Sequence, residues 1–585
     1  MMINAENINV LWGYLIIEEL VRSGVEYCCI SPGSRSTPLA VAAARNPRLC
    51  KSVCYDERGA AFNVLGYARA AGKPGIVFTT SGTAAANCFP AVIEASIDCI
   101  PLIVITADRP PELRETGANQ TIHQEHLFNN YVRWFFDLPC PDAHILPEAV
   151  LTTIDQAVFR ALSSPNGPVH INCMFREPLV PTADDSIPEE YDSVLRKWME
   201  SRTPYTLYYP AEVNVHSRAI SAAADIISNA QKPLFVAGKI NSLLERISLK
   251  KLLENVEIPV FPDILSGLRT DVSLRNVIHY YDLMLLSEQF VQENHPDAIV
   301  HFGGQITSAR FLQMIHRFPP EHYILINDHP FRSDPAHRVT MRITGSLPHV
   351  CNVLMSRELI GKTEWQEQLK NKSQKIESTV HSNIAQRQEI TEIGVVRTVS
   401  DLIPEGQGLF LSSSMPIRDF DMYTPANSKT VFIAANRGAS GIDGTIASSV
   451  GFAEGLNAPV TLVIGDLAFI YDINALHYLT SLRQKLIICL INNHGGGIFS
   501  FLPISNYDDV FEKYFAAPHS LHFKAAADLF SLAYANPKTA AEFRENYQTA
   551  LQFPRSTLIE VETDRNDNLL IHREIQQLIK DIIEE

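Results

Sequence analysis

The sequence has 585 residues, 46% hydrophobic and 19% charged, with 49 basic against 65 acidic side chains and a formal charge of −16. At roughly 150 residues per domain that length implies three or four domains, with cores large enough to need neither disulfides nor structural metals. The composition excludes a disordered chain or a coiled coil, and the acidic excess argues against a nucleic-acid partner held by charge neutralisation.

The best apolar runs, Ile100–Ala107 and Leu486–Ile491, fall far short of the roughly 20 residues a membrane span needs, so no membrane partner is expected. The opening MMINAENINVLWGYLIIEEL lacks a basic start and carries Glu6, Glu18 and Glu19, unlike a secretory signal. Ten cysteines are scattered without a CxxC pair, as expected of reduced core thiols in a cytoplasmic protein.

Three blocks alternate short β-branched runs with helical stretches, which predicts an α/β chain of three doubly wound, parallel-sheet domains. In the first, residues 1–185, strands are expected at Tyr27–Ile30, Lys51–Tyr55, Gly75–Thr80 and Pro101–Thr106. Ser31-Pro-Gly-Ser-Arg-Ser-Thr-Pro turns into a helix, Arg58–Ala71 is an Ala-rich helix, Ser81-Gly-Thr-Ala opens one to about Ala95, and Asp108–Phe128 is a loop. Residues 180–205, with few apolar side chains, read as a linker. The second block, 205–360, has strands at Pro233–Ala237, Ile258–Phe261, Ala298–Phe302 and Tyr323–Ile326. Residues 362–390 read as a charged, solvated connecting helix. The third block, 390–585, has strands at Gly408–Leu411, Thr430–Ile433, Val460–Ile464, Leu486–Ile491 and Ser556–Val561, with a helix at Asp472–Leu482.

The most informative pair of residues lies in the third block. Val460–Ile464 runs into Gly465-Asp466, and Leu486–Ile491 runs into Asn492-Asn493-His494-Gly495-Gly496-Gly497, placing Asp466 and Asn493 27 residues apart. A right-handed βαβ crossover of that length brings both side chains to the carboxyl edge of a parallel sheet, where open α/β sheets bind ligands. A carboxylate, an amide oxygen and a backbone carbonyl are hard donors suited to Mg²⁺ shared with a diphosphate. Two ordinary turns after two strands are the plain alternative.

Gly-Asp followed after this interval by Asn-Asn resembles the metal-diphosphate motif of the thiamine diphosphate-dependent enzymes, although Leu467 stands where many members have Gly and His494 where Asn is common. The resemblance implies a thiamine diphosphate-binding fold, with a pyrimidine-binding domain at 1–185, a central domain at 205–360 and a diphosphate/Mg-binding domain at 390–585. It implies a glutamate facing the aminopyrimidine ring, and Glu57 in Asp56-Glu57-Arg58-Gly59-Ala60-Ala61 fits. Apolar shielding would raise its pKa and let it share a proton with the ring; a helix-N-terminal glutamate paired with the dipole is the alternative. In Asn436-Arg437-Gly438-Ala439-Ser440-Gly441-Ile442-Asp443-Gly444, Ile442 would hold the bent cofactor, with Ser440, Gly441, Gly465 and Leu467 beside it. Asp466, Asn493 and the Gly495 carbonyl would hold Mg²⁺, with Mn²⁺ as a substitute.

Arg35, Arg109, Arg310, Arg418 and Arg437 each follow a predicted strand closely, and five such cations in an acidic chain suggest polyanionic substrates. Ser-Pro-Gly-Ser-Arg-Ser-Thr-Pro-Leu (31–39), Asp-Arg-Pro-Pro-Glu-Leu-Arg (108–114), Ala-Asn-Gln-Thr-Ile (118–122) and the Asn-Arg-Gly loop are similar to the branch of this superfamily that serves menaquinone and phylloquinone biosynthesis. Its reaction decarboxylates 2-oxoglutarate and adds the succinyl unit to isochorismate in a 1,4-addition. The likeness would give Arg418 and Arg437 the oxoglutarate end. Arg35, Arg109, Asn119 and Gln120 would meet isochorismate, and Ser414 and Phe499 would line the cavity. Ala309 stands where several relatives carry a basic residue, so either Arg310 serves alone or another side chain reaches in. The superfamily also implies a homodimer or dimer of dimers in which Glu57 of one chain serves Asp466 of its partner. The central block resembles flavin-binding relatives but carries no flavin signature, and none is expected bound. An acetolactate-type carboligase and a catalytically inactive protein of the same fold are the competing readings. The arginines oppose the first, and the joint presence of Glu57, Asp466 and Asn493 opposes the second.

Overall fold

The computed structural model describes residues 5–210, 213–357, 359, 361 and 363–585; the first residue of the predicted connecting helix, 362, and residues 1–4 of the opening segment lie outside them. The β-branched runs close into three sheets in which every strand pair is parallel. The chain divides into two compact units.

The first unit comprises Met1–Ala211, Asn436–Asn457 and Tyr471–Gln484. Its sheet contains β1 (Tyr27–Ile30), β2 (Cys50–Val53), β3 (Gly75–Thr79), β4 (Leu102–Asp108), β5 (Trp134–Leu138) and β6 (Pro168–Met174), ordered β2-β1-β3-β4-β6-β5. The order reverses between β1 and β3, so the segments leaving their carboxyl ends, Ser31–Arg35 and Thr80–Gly82, border the crevice such a reversal creates. β3 and β4 are buried throughout, as strands covered on both faces must be. The helices Glu57–Ala71 and Thr445–Leu456 touch backbone to backbone. A Cβ at Gly66 would come 1.9 Å from the Ser448 carbonyl oxygen, and one at Gly451 would come 1.8 Å from that of Asn63, so only glycine fits at either point.

The predicted linker at 180–205 contains a helix, Glu190–Glu200. Tyr191, Leu195 and Trp198 recur at helical spacing and bury into the first unit's core, which a count of apolar residues overlooks. β5 and β6 were not predicted. β5 lies at the sheet edge, and β6 carries His170 and Asn172, which interrupt its apolar run. The helix expected to run to Ala95 breaks into Thr83–Asn87 and Phe89–Ile97, with Pro90 opening the second.

The second unit comprises Glu212–Ala435, Ala458–Ile470 and Lys485–Glu585. Its smaller sheet contains β7 (Pro233–Ala237), β8 (Val260–Pro262), β9 (Ala298–Phe302), β10 (His322–Asn327) and β11 (Met341–Thr344), ordered β11-β10-β9-β7-β8. Its larger sheet contains β12 (Gly408–Leu411), β13 (Phe432–Ala434), β14 (Val460–Gly465), β15 (Leu486–Asn492), β16 (Ala533–Ala535) and β17 (Thr557–Glu562), ordered β13-β12-β14-β15-β17-β16. Here the reversal falls between β12 and β14. The connecting helix Thr363–Ala385 is not solvated all round: Trp365, Leu369, Ile376 and Val380 bury one stripe of it. The helix expected at Asp472–Leu482 instead begins at Asp466 and ends at Tyr471, followed by a 3₁₀ segment, Ile473–Thr480. No helix among the described residues is long and apolar enough to cross a membrane.

Candidate active site

In the second unit β14 and β15 are neighbours with Gly465 opposite Ile491, so Asp466 and Asn493 leave the carboxyl ends of adjacent strands. Asp466 is buried at 2% exposure. Its Oδ1 accepts the N–H of Leu467 at 2.6 Å, its Oδ2 accepts that of Gly495 at 2.9 Å, and Nε2 of His519 lies 3.2 Å from Oδ2. Burial raises its pKa, while the Gly495 N–H and His519 pull the other way. Gly495 reaches this position at φ +150°, against the carbonyl of Ala516, which a Cβ would approach to 2.3 Å.

Asn493 donates from Nδ2 to Oε1 of Glu392 at 3.0 Å, while its Oδ1 is buried with no hydrogen-bond partner. Burial pushes Glu392 up to about 7, with the charge of Asp419 adding to it. A Cβ at Gly465 would meet nothing within 4 Å, so the end of β14 faces open space. An orphaned amide oxygen beside a buried carboxylate, next to a glycine facing open space, fits a hard cation carrying a diphosphate. Leu467 is half-buried at the start of the helix Asp466–Tyr471.

After β12, which pairs with β14, Ser414 adopts φ 77° and precedes the helix Met415–Tyr423. Such a backbone is costly for a residue bearing a Cβ, and strain of this kind clusters at functional sites. The half-buried Arg418 donates to the Ser414 carbonyl. Phe499 is half-buried on the turn Gly497–Phe501, edge-on to Phe515 at 5.8 Å. Arg310 does not fit the expected set of substrate-facing cations. Its guanidinium pairs with buried Asp282 and approaches the Met422 sulfur at 3.4 Å, so its charge is neutralised within the fold.

In the first unit Glu57 opens the helix Glu57–Ala71, where Asp56 caps the N–H of Arg58 at 2.9 Å. Its carboxylate is half-buried rather than enclosed and accepts from Nδ2 of Asn87 at 3.3 Å. Arg35, 4% exposed, donates to the Phe175 carbonyl at 2.8 Å and lies 3.5 Å from Glu177. Burial lowers its pKa, and the charge of Arg109 adds to this, so two cations share one region after β1 and β4. Nε of Arg109 is buried without a partner, and its guanidinium makes no ion pair among the described residues. Asn119 and Gln120 sit on an exposed loop, with Gln120 at φ 53°.

The loop carrying Arg437, Ser440, Gly441 and Ile442 belongs to the first unit. Glu94 anchors it by accepting the N–H groups of Gly438 at 2.8 Å and Ala439 at 2.6 Å. Ser440 has φ 59°, Arg437 is half-buried, and Ile442 is 37% exposed, unusual for an isoleucine serving only a core.

Sequence reasoning missed the supports. Gln124, fully buried, accepts the Gly82 N–H at 2.8 Å and donates to the Ala107 carbonyl at 3.2 Å and to Asn172 at 2.9 Å. Asp108, also buried, accepts from Arg114, Asn172 and the Arg109 N–H, fixing the backbone from which Arg109 extends. Glu392 and Glu94 likewise hold residues that were predicted. Gln124, Glu94 and Glu392 lie 42, 344 and 101 residues from the groups they hold and form no spacing motif with them, whereas Asp108 adjoins Arg109.

This arrangement of strand-end residues is that of a thiamine diphosphate-dependent enzyme. Residues 12–127 match the family described as "Thiamine pyrophosphate enzyme, N-terminal TPP binding domain", 189–411 "Middle domain of thiamine pyrophosphate", and 419–561 "Thiamine pyrophosphate enzyme, C-terminal TPP binding domain". Proteins named 2-succinyl-5-enolpyruvyl-6-hydroxy-3-cyclohexene-1-carboxylate synthase align over nearly the whole chain. That of Rubrobacter xylanophilus is 44% identical over 97% of this chain and 98% of its own. That of Prosthecochloris aestuarii is 43% identical over 99% and 98%, and that of Chlorobium phaeobacteroides 42% over 99% of both. The chain belongs to this synthase family.

Proposed function

We propose that the chain joins the succinyl unit of 2-oxoglutarate to isochorismate with loss of CO₂, giving 2-succinyl-5-enolpyruvyl-6-hydroxy-3-cyclohexene-1-carboxylate in menaquinone or phylloquinone biosynthesis. The observation that carries it is the unpartnered, buried Oδ1 of Asn493 at the strand end beside that of Asp466, in a chain 44% identical to a synthase of that name. Thiamine diphosphate, when bound, supplies the electron sink for decarboxylation.

The chain's own residues bind, orient and neutralise. Asp466, Asn493 Oδ1 and the Gly495 carbonyl would hold Mg²⁺, or Mn²⁺ in its place. Gly465 and Leu467, with Ser440, Gly441 and Ile442, would seat the cofactor by shape. Glu57 would hold or release a proton at its carboxyl oxygen facing the aminopyrimidine. Arg418 and Arg437 would neutralise the 2-oxoglutarate carboxylates. Arg35 and Arg109, with Asn119 and Gln120, would receive isochorismate, and the half-buried Ser414 and Phe499 would line the cavity. Two like charges after β1 and β4 favour a dianion over the monoanionic keto acid of an acetolactate-type enzyme.

We further propose a cytoplasmic homodimer or dimer of dimers in which each cofactor is held by two chains. The domains would be residues 1–185 for the pyrimidine, a central domain at 205–360, and 390–585 for the diphosphate and metal. The deciding experiment is turnover with 2-oxoglutarate and isochorismate, with and without thiamine diphosphate and Mg²⁺. Product formation that requires all four supports the reading. Equal turnover when pyruvate replaces 2-oxoglutarate would overturn it.

A further inference from the structure

Glu392 opens the helix Glu392–Leu402 and is 1% exposed, yet nothing in the proposed reaction uses it. Burying a carboxyl group is costly unless its oxygens find partners. Here Oε1 accepts from Nδ2 of Asn493 at 3.0 Å and lies 3.3 Å from the Thr563 hydroxyl, which donates to it. The helix start that carries Glu392 is itself fixed, because Thr391 accepts the N–H of Gly394 at 2.9 Å.

The geometry has a consequence for Asn493. An asparagine amide presents an oxygen on one side and an NH₂ group on the other, and the two faces exchange if the amide turns over. Only the oxygen can ligate a cation; the NH₂ would repel it. The amide nitrogen of Asn493 faces Oε1 of Glu392, so Oδ1 faces away from it. That oxygen is the atom left buried without a partner.

We infer that Glu392 is a positioning residue that locks the Asn493 amide with its oxygen toward the metal, and so sets the affinity of the site for a hard divalent cation. The inference rests on the reading of Asp466 and Asn493 as metal ligands. Partners of this outer kind typically contribute about 10–100-fold to metal affinity.

The test is calorimetric titration of Mg²⁺ into the full-length protein with thiamine diphosphate in excess. Glu392→Leu should weaken Mg²⁺ binding by about 10–100-fold. Glu392→Asp, which keeps the carboxylate but shortens its reach, should weaken it in the same direction. Glu392→Gln, which keeps an acceptor oxygen at full reach, should stay within roughly threefold of the parent, well below that range. In an Asn493→Ala background Glu392→Leu should add nothing further, because the residue it positions is gone. If both Glu392→Asp and folded Glu392→Leu bind Mg²⁺ like the parent, with only a lowered melting temperature, the residue is structural and the inference falls. Asp466→Ala, titrated alongside, separates the two claims. If Asp466→Ala leaves Mg²⁺ affinity intact, the metal-site reading falls and this inference with it. If Asp466→Ala abolishes binding while the Glu392 variants retain it, only the inference falls.

Discussion

The backbone N–H of Gly495 donates to Oδ2 of Asp466 at 2.9 Å, tying the loop after β15 to the end of β14. The N–H of Leu467 occupies Oδ1 at 2.6 Å. Both carboxylate oxygens therefore already face a donor, and an amide in their place must turn NH₂ toward N–H. Asp466→Asn should cost roughly 1–3 kcal/mol of stability through that mismatch. It should also weaken Mg²⁺-dependent cofactor binding by at least about 100-fold, since even partners outside the ligand shell contribute up to that much. Calorimetry with thiamine diphosphate and Mg²⁺ checks both, and an unchanged dissociation constant would remove Asp466 from the ligand set.

Glu57→Gln should behave differently. The side chain is half-buried and, among the described residues, its carboxylate accepts from Asn87 alone, at 3.3 Å, so an amide of the same shape disturbs little. Folding and cofactor binding should persist while turnover falls by about 10²–10⁴, the range for loss of a positioned acid–base group. The pair of measurements decides: turnover near that of the parent, in protein shown to bind cofactor, would end the proposed proton-holding role.

The arginines separate into two kinds. Arg109 has a buried, unpartnered Nε and no ion pair among the described residues, whereas Arg310 is paired with Asp282. Arg109→Met should raise KM for isochorismate by about 10–100-fold, equivalent to about one charge-assisted hydrogen bond, with an unchanged melting temperature. Arg310→Met should leave KM alone and destabilise the fold by roughly 3 kcal/mol, because Asp282 is left buried and unpaired. A reversal of the two phenotypes would mean that the sites have been assigned the wrong way round.

That contrast also marks what the sequence could and could not reveal. β7, β9 and β12 were expected at Pro233–Ala237, Ala298–Phe302 and Gly408–Leu411 and occur at those residues, because each is a short apolar run between turn signals. The placement of Asp466 and Asn493 at the ends of adjacent strands was legible because two apolar runs and a fixed interval define it. The supports were not: Gln124, Glu94 and Glu392 act on Gly82, Gly438 and Asn493 across separations of 42, 344 and 101 residues. Arg310 looked like its fellow arginines because an ion pair with a residue 28 positions away leaves no local trace. The helix Glu190–Glu200 was hidden for a different reason. Its three buried residues carry the signal by period, and its surroundings are polar.

The two-chain reading of the cofactor site predicts complementation. Glu57→Gln and Asp466→Ala proteins should each be nearly inactive. When co-refolded or co-expressed, half the dimers should be mixed, and each mixed dimer should own one site with both native residues. Activity should then recover to roughly a quarter of the parent's, as a shared site in a two-fold dimer requires. Recovery should track the mixed dimer isolated by differential tagging. A mixed dimer as inactive as its parents would place both residues' functions within one chain.

His170 sets a pH dependence of stability in the first unit. It lies on β6 at 0% exposure among Phe128 and Phe135, with ring centroids at 4.7 and 5.1 Å, and Nε2 is 2.7 Å from the Thr106 hydroxyl. Nδ1 is buried without a partner. Burial pushes its pKa down to about 3, with His126 adding to the effect. The unfolded chain takes up a proton near pH 6.5 that the folded chain refuses, so this contribution to stability is full above about pH 6.5 and is lost as the pH falls toward about 3. Lowering the pH from 7 to 5 should therefore cost about 2 kcal/mol through this residue alone. His170→Gln cannot titrate, and its apparent unfolding midpoint in urea should fall less than the parent's between those two pH values. Parallel pH dependence in the two proteins would mean that His170 accepts its proton in the folded state.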